Sequence, residues 1–218
     1  MSIQAIINTA QTIEIDRRRV VGQSISRSQR IKTAQRLSAQ PFMITITPTA
    51  RFSFDENRTT LEAIMTADRT QEQQINLSGV SGMNFITEYQ GSLNTAQLTA
   101  LTITNFTGTS MTIGGLPTIT GSITSQTVIL RAGDFIQPPQ SRYPYIVSNK
   151  VIRGTGSEVT ATTHRSLISS ESATLTGTPL IGTNTTMRVL VQELPTYRFV
   201  LNNFAEFTGD FVLMEKII

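Results

Sequence analysis

The chain has 218 residues, enough for one large all-β domain or two small ones. Only 39% of its residues are hydrophobic and 15% are charged, and the balance is rich in Thr, Ser, Asn and Gln. This composition is typical of thin sheets with a large solvated or partner-covered area. The absence of cysteine excludes disulfides and thiolate metal sites.

The charge is unevenly distributed, because residues 1–40 carry +5 while the other 178 residues carry −2. The start of the chain has no basic, apolar export signal, and no apolar run approaches the length of a membrane span, so we expect no membrane partner. We predict a single domain over 1–218, with a basic N-terminal arm or hairpin at about 10–40.

The basic arm is predicted as two strands around a bend near residues 18–22, or as one long extended segment. A row of arginines has three interpretations: a solvated edge strand that resists wrong pairing, a segment that docks on an acidic neighbouring subunit, or a contact to nucleic-acid phosphate. Aromatic residues that could stack on bases are missing from the arm, which disfavours the nucleic-acid interpretation.

The next elements are a strand and a helix. Residues 42–47 alternate apolar and polar side chains between two prolines, which predicts a strand. At 55–68 the spacing changes to that of a helix, with Ser53 or Asp55 as the N-cap and an apolar stripe made by Leu61, Ile64 and Met65.

The rest of the chain is predicted to be β-rich. Residues 108–126 have little bulk to bury and are predicted as an exposed hairpin or loop. Residues 126–165 alternate apolar runs with Gly and Pro turns, which predicts an antiparallel meander. A long Ser/Thr-rich loop is expected at about 166–186. Further strands are predicted at 71–76, 82–90, 98–106, 187–191, 197–201 and 211–217.

No residue pattern indicates catalysis. His164 is the only histidine, and no Gly-x-Ser-x-Gly nucleophile motif accompanies it, so we interpret it as a strand or loop residue. The spacing of His, Asp and Glu matches neither zinc nor calcium sites, and the Gly-rich turns lack a following Gly-Lys-Ser/Thr. We therefore predict a protein that is not an enzyme and has no cofactor and no metal.

Two blocks of sequence resemble structural proteins of tailed-bacteriophage tails and baseplates, particularly the tail-tube-associated proteins of T4-like marine phages. The first contains Ile-Glu-Ile-Asp-Arg-Arg-Arg-Val-Val-Gly-Gln at 13–23, Pro-Phe-Met-Ile-Thr-Ile at 41–46, and the segment 51–69. The second contains Gly-Asp-Phe-Ile-Gln at 133–137, Tyr-Pro-Tyr-Ile-Val at 143–147, and His-Arg at 164–165. Together they cover roughly half of the chain.

The resemblance implies a mainly β fold: an antiparallel β-sandwich or barrel of tail-tube type, with one flanking α-helix at 55–68. It also implies a structural virion protein that forms a ring, expected to be hexameric, which joins the tail tube to the hub. Its partners would be further copies of itself and other tail or baseplate proteins, without specific nucleic acid. The expected location is the virion, with assembly in the host cytoplasm.

We expect the ring interface to include charged and aromatic residues of the basic arm and of the second block: Arg17, Arg18, Arg19, Arg27, Arg30, Arg36, Asp134 and Tyr143. The alternative function is a carbohydrate- or receptor-binding β-sandwich of a tail tip or fibre, for which Tyr89, Tyr143 and Tyr145 are the candidate stacking residues. A small hydrolase that uses His164 is the third and least favoured hypothesis.

Overall fold

Short antiparallel strands of β-branched and aromatic residues make up most of the computed structural model. The structure describes residues 3–17, 40–66, 71–79, 82–168 and 175–217, together with the backbone of 21–25 and 31–35. The predicted mainly β class is confirmed. Within the described ranges, none of the sheets closes into a barrel.

The largest sheet joins the two ends of the chain. It has five strands, in the order β1 (Thr12–Asp16), β4 (Met43–Thr47), β18 (Phe211–Glu215), β15 (Met187–Glu193) and β6 (Gln73–Ile75). The strand predicted at 42–47 is confirmed, and its apolar side chains Phe42, Ile44 and Ile46 are fully buried. Strands with a side-chain period of two can cover a core with one face and meet solvent with the other.

The middle of the chain folds into three small sheets. One contains β7 (Thr102–Thr107), β8 (Ser110–Gly114) and β13 (Val159–Thr162), and the second pairs β9 (Val128–Leu130) with β12 (Val151–Ile152). In the third, β10 (Phe135–Gln137) lies between β11 (Tyr145–Ile146) and β14 (Leu180–Ile181).

This arrangement corrects two predictions. The strands within 126–165 exist, but only β10 and β11 pair as direct neighbours in sequence, so the segment is not a simple meander. The start of 108–126 is the buried strand β8, in which Met111 and Ile113 are fully covered, rather than an exposed hairpin. Two large apolar side chains on one face were enough to bury a segment of low average bulk.

Three α-helices occur in the described ranges: α1 (Gln4–Asn8), α2 (Phe54–Thr66) and α3 (Thr95–Ala100). The flanking helix predicted at 55–68 is confirmed as α2, which buries Leu61 and Ile64. Met65 was expected beside them but is 44% exposed.

The predicted strand at 82–90 is wrong, because Asn84–Ile86 is a 3₁₀ turn. The predicted strand at 98–106 is confirmed from Thr102 onward as β7, but residues 98–100 belong to α3, which an Asn94–Gln97 capping box starts.

Two hairpins lie outside these sheets. The strands β2 (Val21–Ile25) and β3 (Ile31–Gln35) pair with each other, so the basic arm contains a hairpin. Its strands are connected by residues 26–30 and not by the bend predicted near 18–22, and β1, before that bend, pairs with β4. A three-stranded sheet contains β16 (Tyr197–Val200), β17 (Phe204–Phe207) and β5 (Phe52–Ser53). The strand β17 was missed by the sequence reading, and the predicted loop at 166–186 contains β14 and a 3₁₀ turn at Gly182–Asn184.

The buried side chains form two clusters. The first lies between the small sheets and includes Leu101, Ile129 and Tyr145, and the second lies on the five-stranded sheet and includes Phe42, Val189 and Leu213. Whether the chain is a single domain stays a prediction. None of the described helices is both long and apolar enough to cross a membrane.

Candidate functional site

A buried ion pair lies between the two core clusters. The Arg165 side chain is fully covered, and its guanidinium donates two hydrogen bonds to the Glu215 carboxylate, from Nη1 to Oε2 at 2.5 Å and from Nη2 to Oε1 at 2.7 Å. The same two nitrogens also donate to the carbonyl oxygens of Gln40 and Pro144, each at 2.8 Å. A bidentate pair of this geometry offsets much of the desolvation that burial imposes on both charges.

Three aromatic rings surround the guanidinium. Its central carbon lies 5.1 Å from the ring centroid of Phe42, 5.2 Å from that of Tyr145 and 5.9 Å from that of Tyr143. Phe42 belongs to the second core cluster and both tyrosines contact the first, so Arg165 connects the two. The backbone N–H of Phe42 also donates to Oε2 of Glu215 at 3.1 Å. These contacts indicate an ion pair that holds the two core clusters together rather than a substrate site.

His164 adjoins this ion pair and is held in its neutral form. Its Nδ1 accepts a hydrogen bond from the backbone N–H of Ile146 at 2.9 Å, and its ring centroid lies 5.2 Å from that of Phe42. Burial, reinforced by the positive charges of Arg165 and Arg17, lowers the pKa of His164 to about 3. A histidine with this pKa is a poor general base near neutral pH. His164 lies in a bend shortly after β13, in agreement with its interpretation as a strand or loop residue.

A cleft of about 390 Å³ opens beside His164. Among the described residues of its wall, Arg17 is the one charged side chain, and it is exposed. The lining residues are Arg17, Gln40, Ala132, Gly133, Val147, Ser148 and His164. Of the arginines predicted at the ring interface, Arg17 is therefore on the surface. Arg18, Arg19, Arg27, Arg30 and Arg36 lie outside the described residues.

The other two predicted interface residues have roles inside the chain. Asp134 is 2% exposed, and its carboxylate accepts from the backbone N–H groups of Gln90 and Arg131 at 2.8 and 2.7 Å. Burial raises the pKa of this carboxyl group above its ordinary value. Tyr143 is 1% exposed and packs in the core near Arg165. Neither side chain is available to a neighbouring subunit, which corrects that prediction.

The same burial corrects the candidate sugar-stacking residues. Tyr145 is fully buried and Tyr143 nearly so. Tyr89 is half-buried and donates its hydroxyl to the carbonyl oxygen of Ile129 at 2.6 Å, and burial raises its pKa to about 12. A ring that stacks on a sugar must present a free face to solvent, which Tyr143 and Tyr145 do not do.

The β16–β17 hairpin presents apolar side chains to solvent. Leu201 is 87% exposed, Phe199 67% and Phe204 41%, and we call these three residues the apolar tip. Phe54 of α2 packs edge-on against Phe199, with ring centroids 4.8 Å apart. The register pairs Val200 with Phe204 and Phe199 with Ala205, so Phe199 and Phe204 lie on opposite faces of the hairpin. Exposed apolar side chains at the end of a hairpin are candidates for an interaction surface. Sequence reasoning missed the tip because its residues look like an ordinary buried strand.

The basic β2–β3 hairpin is the second surface feature. In the part of the chain that the structure describes, these strands pair only with each other and with no strand of another sheet. An isolated two-stranded hairpin is marginally stable in water. Residues 17–36 carry seven basic side chains and no acidic one. The outer edges of these two strands have no partner among the described strands, and the positive charge of the segment would favour an acidic neighbour.

Within the described ranges, no three His, Asp or Glu side chains come together to hold a metal ion. No protein-family model matches the chain, and no curated protein is significantly similar to it.

Proposed function

We propose that this chain is a non-enzymatic structural protein of a phage tail or baseplate, which forms a ring, most simply a hexamer, that joins the tail tube to the hub. The observation that carries the assembly role is the exposed apolar tip, and the β2–β3 hairpin, whose strands pair with no other described strand, supports it. The resemblance of the two sequence blocks to tail and baseplate proteins supports the phage assignment.

The two hairpins offer different kinds of contact. The basic hairpin brings positive charge and two strands whose outer edges pair with no other described strand, which suits an acidic or strand-presenting neighbour. The apolar tip offers rigid hydrophobic surface. Because residues outside 1–40 carry a net −2, another copy of the chain could attract the basic hairpin.

The inner chemistry of the chain also favours a structural role. The buried Arg165–Glu215 pair binds its two charges to each other and to backbone atoms, leaving little capacity for a substrate. His164 is neutral and packed against Phe42. Such a centre stabilises a scaffold that must keep its shape under assembly.

The test is the mass of the purified chain over a wide concentration range, measured by native mass spectrometry and sedimentation velocity. A single closed oligomer that forms as concentration rises, seen as rings by negative-stain electron microscopy, would support the proposal. A chain that stays monomeric up to high micromolar concentration, with or without extracts of the tail, would refute it. Antibody labelling of native phage particles would then test the location.

A further inference from the structure

We propose that the cleft beside His164 binds a small organic anion, whose carboxylate or phosphate group is held by the guanidinium of Arg17. The cleft has a volume of about 390 Å³, which lies within the range of small-molecule sites in proteins. Since one water takes up roughly 30 Å³ in the liquid, the cleft has room for more than an inorganic ion alone. This inference does not depend on the proposed ring.

The positive charge on the cleft wall has no acidic partner there. Arg17 forms no ion pair with another described residue, and none of the described wall residues is acidic. The charge of Arg17 acts on the cleft, because it is one of the causes that lower the pKa of His164. A guanidinium presents its N–H donors in a planar fork that matches the two oxygens of a carboxylate or phosphate.

The carboxylates that adjoin the wall in sequence are placed elsewhere. Asp134 is 2% exposed, and its two oxygens already accept from two backbone N–H groups. Asp16 precedes Arg17 in the chain but lies opposite Met43 in the register, and Met43 is 43% exposed on the outer face of the five-stranded sheet. An anion that enters the cleft therefore meets Arg17 without an acidic side chain of the described wall to repel it.

A tight turn adds a backbone donor to the wall. The turn at 131–134 is closed by a backbone hydrogen bond of 3.1 Å, and its third residue, Gly133, has a φ of 105°. The N–H of Gly133 donates to the carbonyl oxygen of Val147 at 2.8 Å. Ala132 also lines the cleft, and its N–H donates to no acceptor among the described contacts. An oxyanion can accept from this N–H as well as from Arg17.

The remaining wall is held in place by backbone bonds. The N–H and the hydroxyl of Ser148 both donate to the carbonyl oxygen of Thr162, at 2.7 and 2.9 Å. The N–H of Ile146 donates to Nδ1 of His164, and the N–H of His164 donates back to the carbonyl oxygen of Ile146, each at 2.9 Å. A wall that is already ordered loses little conformational entropy when a ligand binds.

The expected affinity is modest. One exposed guanidinium and one backbone N–H hold the anion in an open cleft, so we expect a dissociation constant on the order of 1 mM. Because salt screens charges that are exposed to solvent, the affinity should decrease as the ionic strength rises. The measurement therefore belongs at low and constant ionic strength.

The experiment follows the imidazole of His164 by NMR in the full-length chain. His164 is the only histidine, so its ring signals are unambiguous. The probes are succinate, glycerol phosphate and inorganic phosphate, and the uncharged succinamide is the control. We expect the signals of His164 to shift and saturate with one or both organic anions, and not with succinamide. An anion beside Arg17 offsets its positive charge, so binding should also raise the pKa of His164.

Variants of Arg17 test the role of the guanidinium. Arg17→Gln should weaken binding by about tenfold or more, whereas Arg17→Lys keeps the charge and should retain part of the affinity. Arg58→Gln removes an exposed arginine from α2, away from the cleft wall, and should bind like the wild type. Arg17 and Arg58 are both exposed, so these variants should keep the fold, which circular dichroism checks.

Three results would overturn the inference. Shifts that grow linearly without saturation, or that succinamide reproduces, would show that the cleft has no anion site. Saturable binding that Arg17→Gln leaves unchanged would place the anion elsewhere. Inorganic phosphate that binds as tightly as both organic anions would reduce the cleft to a simple ion site. A monomeric chain that binds succinate through Arg17 would support this inference while refuting the ring, so the two proposals fail separately.

Discussion

Removing one partner of the buried Arg165–Glu215 ion pair should destabilise the chain far more than removing one partner of an exposed ion pair. In Arg165→Met, the Glu215 carboxylate stays buried and keeps only the backbone N–H of Phe42 as a donor among the contacts described above. The carbonyl oxygens of Gln40 and Pro144 each lose a donor as well. The methionine fills part of the volume, so the effect comes mainly from the unpaired polar groups.

The expected loss in free energy of unfolding is about 3–5 kcal/mol, the range seen when one member of a buried pair is removed. A chain of this size should lose roughly 2–4 °C in Tm per kcal/mol, so the midpoint should fall by roughly 6–20 °C. Urea unfolding followed by circular dichroism measures the first quantity and scanning calorimetry the second. Glu215→Gln should have a similar effect, because it leaves a guanidinium buried without a counterion.

The chain offers a matched control in the exposed pair of Arg198 and Glu206, where the arginine side chain is 72% exposed. Arg198→Met should change the stability by less than about 1 kcal/mol, because water screens surface pairs. The double variant Arg165→Met/Glu215→Leu should recover much of the loss of the single variants, since it leaves no charge unpaired. An Arg165→Met chain as stable as Arg198→Met would refute the reasoning.

Three further predictions follow from the described geometry. Burial lowers the pKa of His164 from 6.5 to about 3, so neutral His164 contributes its full stability above pH 6.5. As pH falls from 6.5 toward 3, the free energy of unfolding should decrease by about 1.4 kcal/mol per pH unit. Urea unfolding of His164→Asn over the same pH range should lack this decrease. Gly115→Ala should lower the free energy of unfolding by more than about 2 kcal/mol, because its Cβ would lie 2.1 Å from the carbonyl oxygen of Ala100. Gly108 also has a positive φ but lies in open space, so thermal unfolding of Gly108→Ala should show only the smaller backbone strain. Asn202→Val should destabilise the hairpin by about 1–3 kcal/mol because a β-branched residue strains at a φ of 66°, and Asn202→Gly should not; equal urea midpoints for the two would contradict this.

The elements that the sequence predicted correctly have strong local periodicity. Alternation at 42–47 and helical spacing of Leu61 and Ile64 each place apolar side chains on one face, so the buried face is visible without knowing its partner. The wrong prediction at 82–90 has the opposite cause. Its apolar residues Met83, Phe85 and Ile86 follow no period, and a short apolar run does not distinguish a strand from a turn.

The residues of the candidate site were harder to foresee. Arg165 and Glu215 are 50 residues apart, and nothing local to either distinguishes a buried charge from a solvated one. Asp134 and Tyr143 lie in turn-rich segments that suggested the surface, yet backbone donors and ring packing draw them inside. Leu201 ends a predicted strand, and nothing in its local sequence shows that its side chain is exposed. In each case, contacts between segments that are distant in sequence determine whether the side chain is buried or exposed.

The places of the buried ion pair and of the exposed apolar side chains indicate which contacts the fold itself requires. Within the described residues, the buried charges of Arg165 and Glu215 are paired inside one chain, and both core clusters are built from that chain's own strands. The exposed apolar tip lies on the β16–β17 hairpin, outside the main sheets. We expect a chain with this distribution to fold as a monomer before any association, so its urea midpoint should not depend on protein concentration in the range where it is monomeric. Folding that required other copies would make stability rise with concentration from the lowest concentrations, which would place a completing contact within the core rather than on the hairpins.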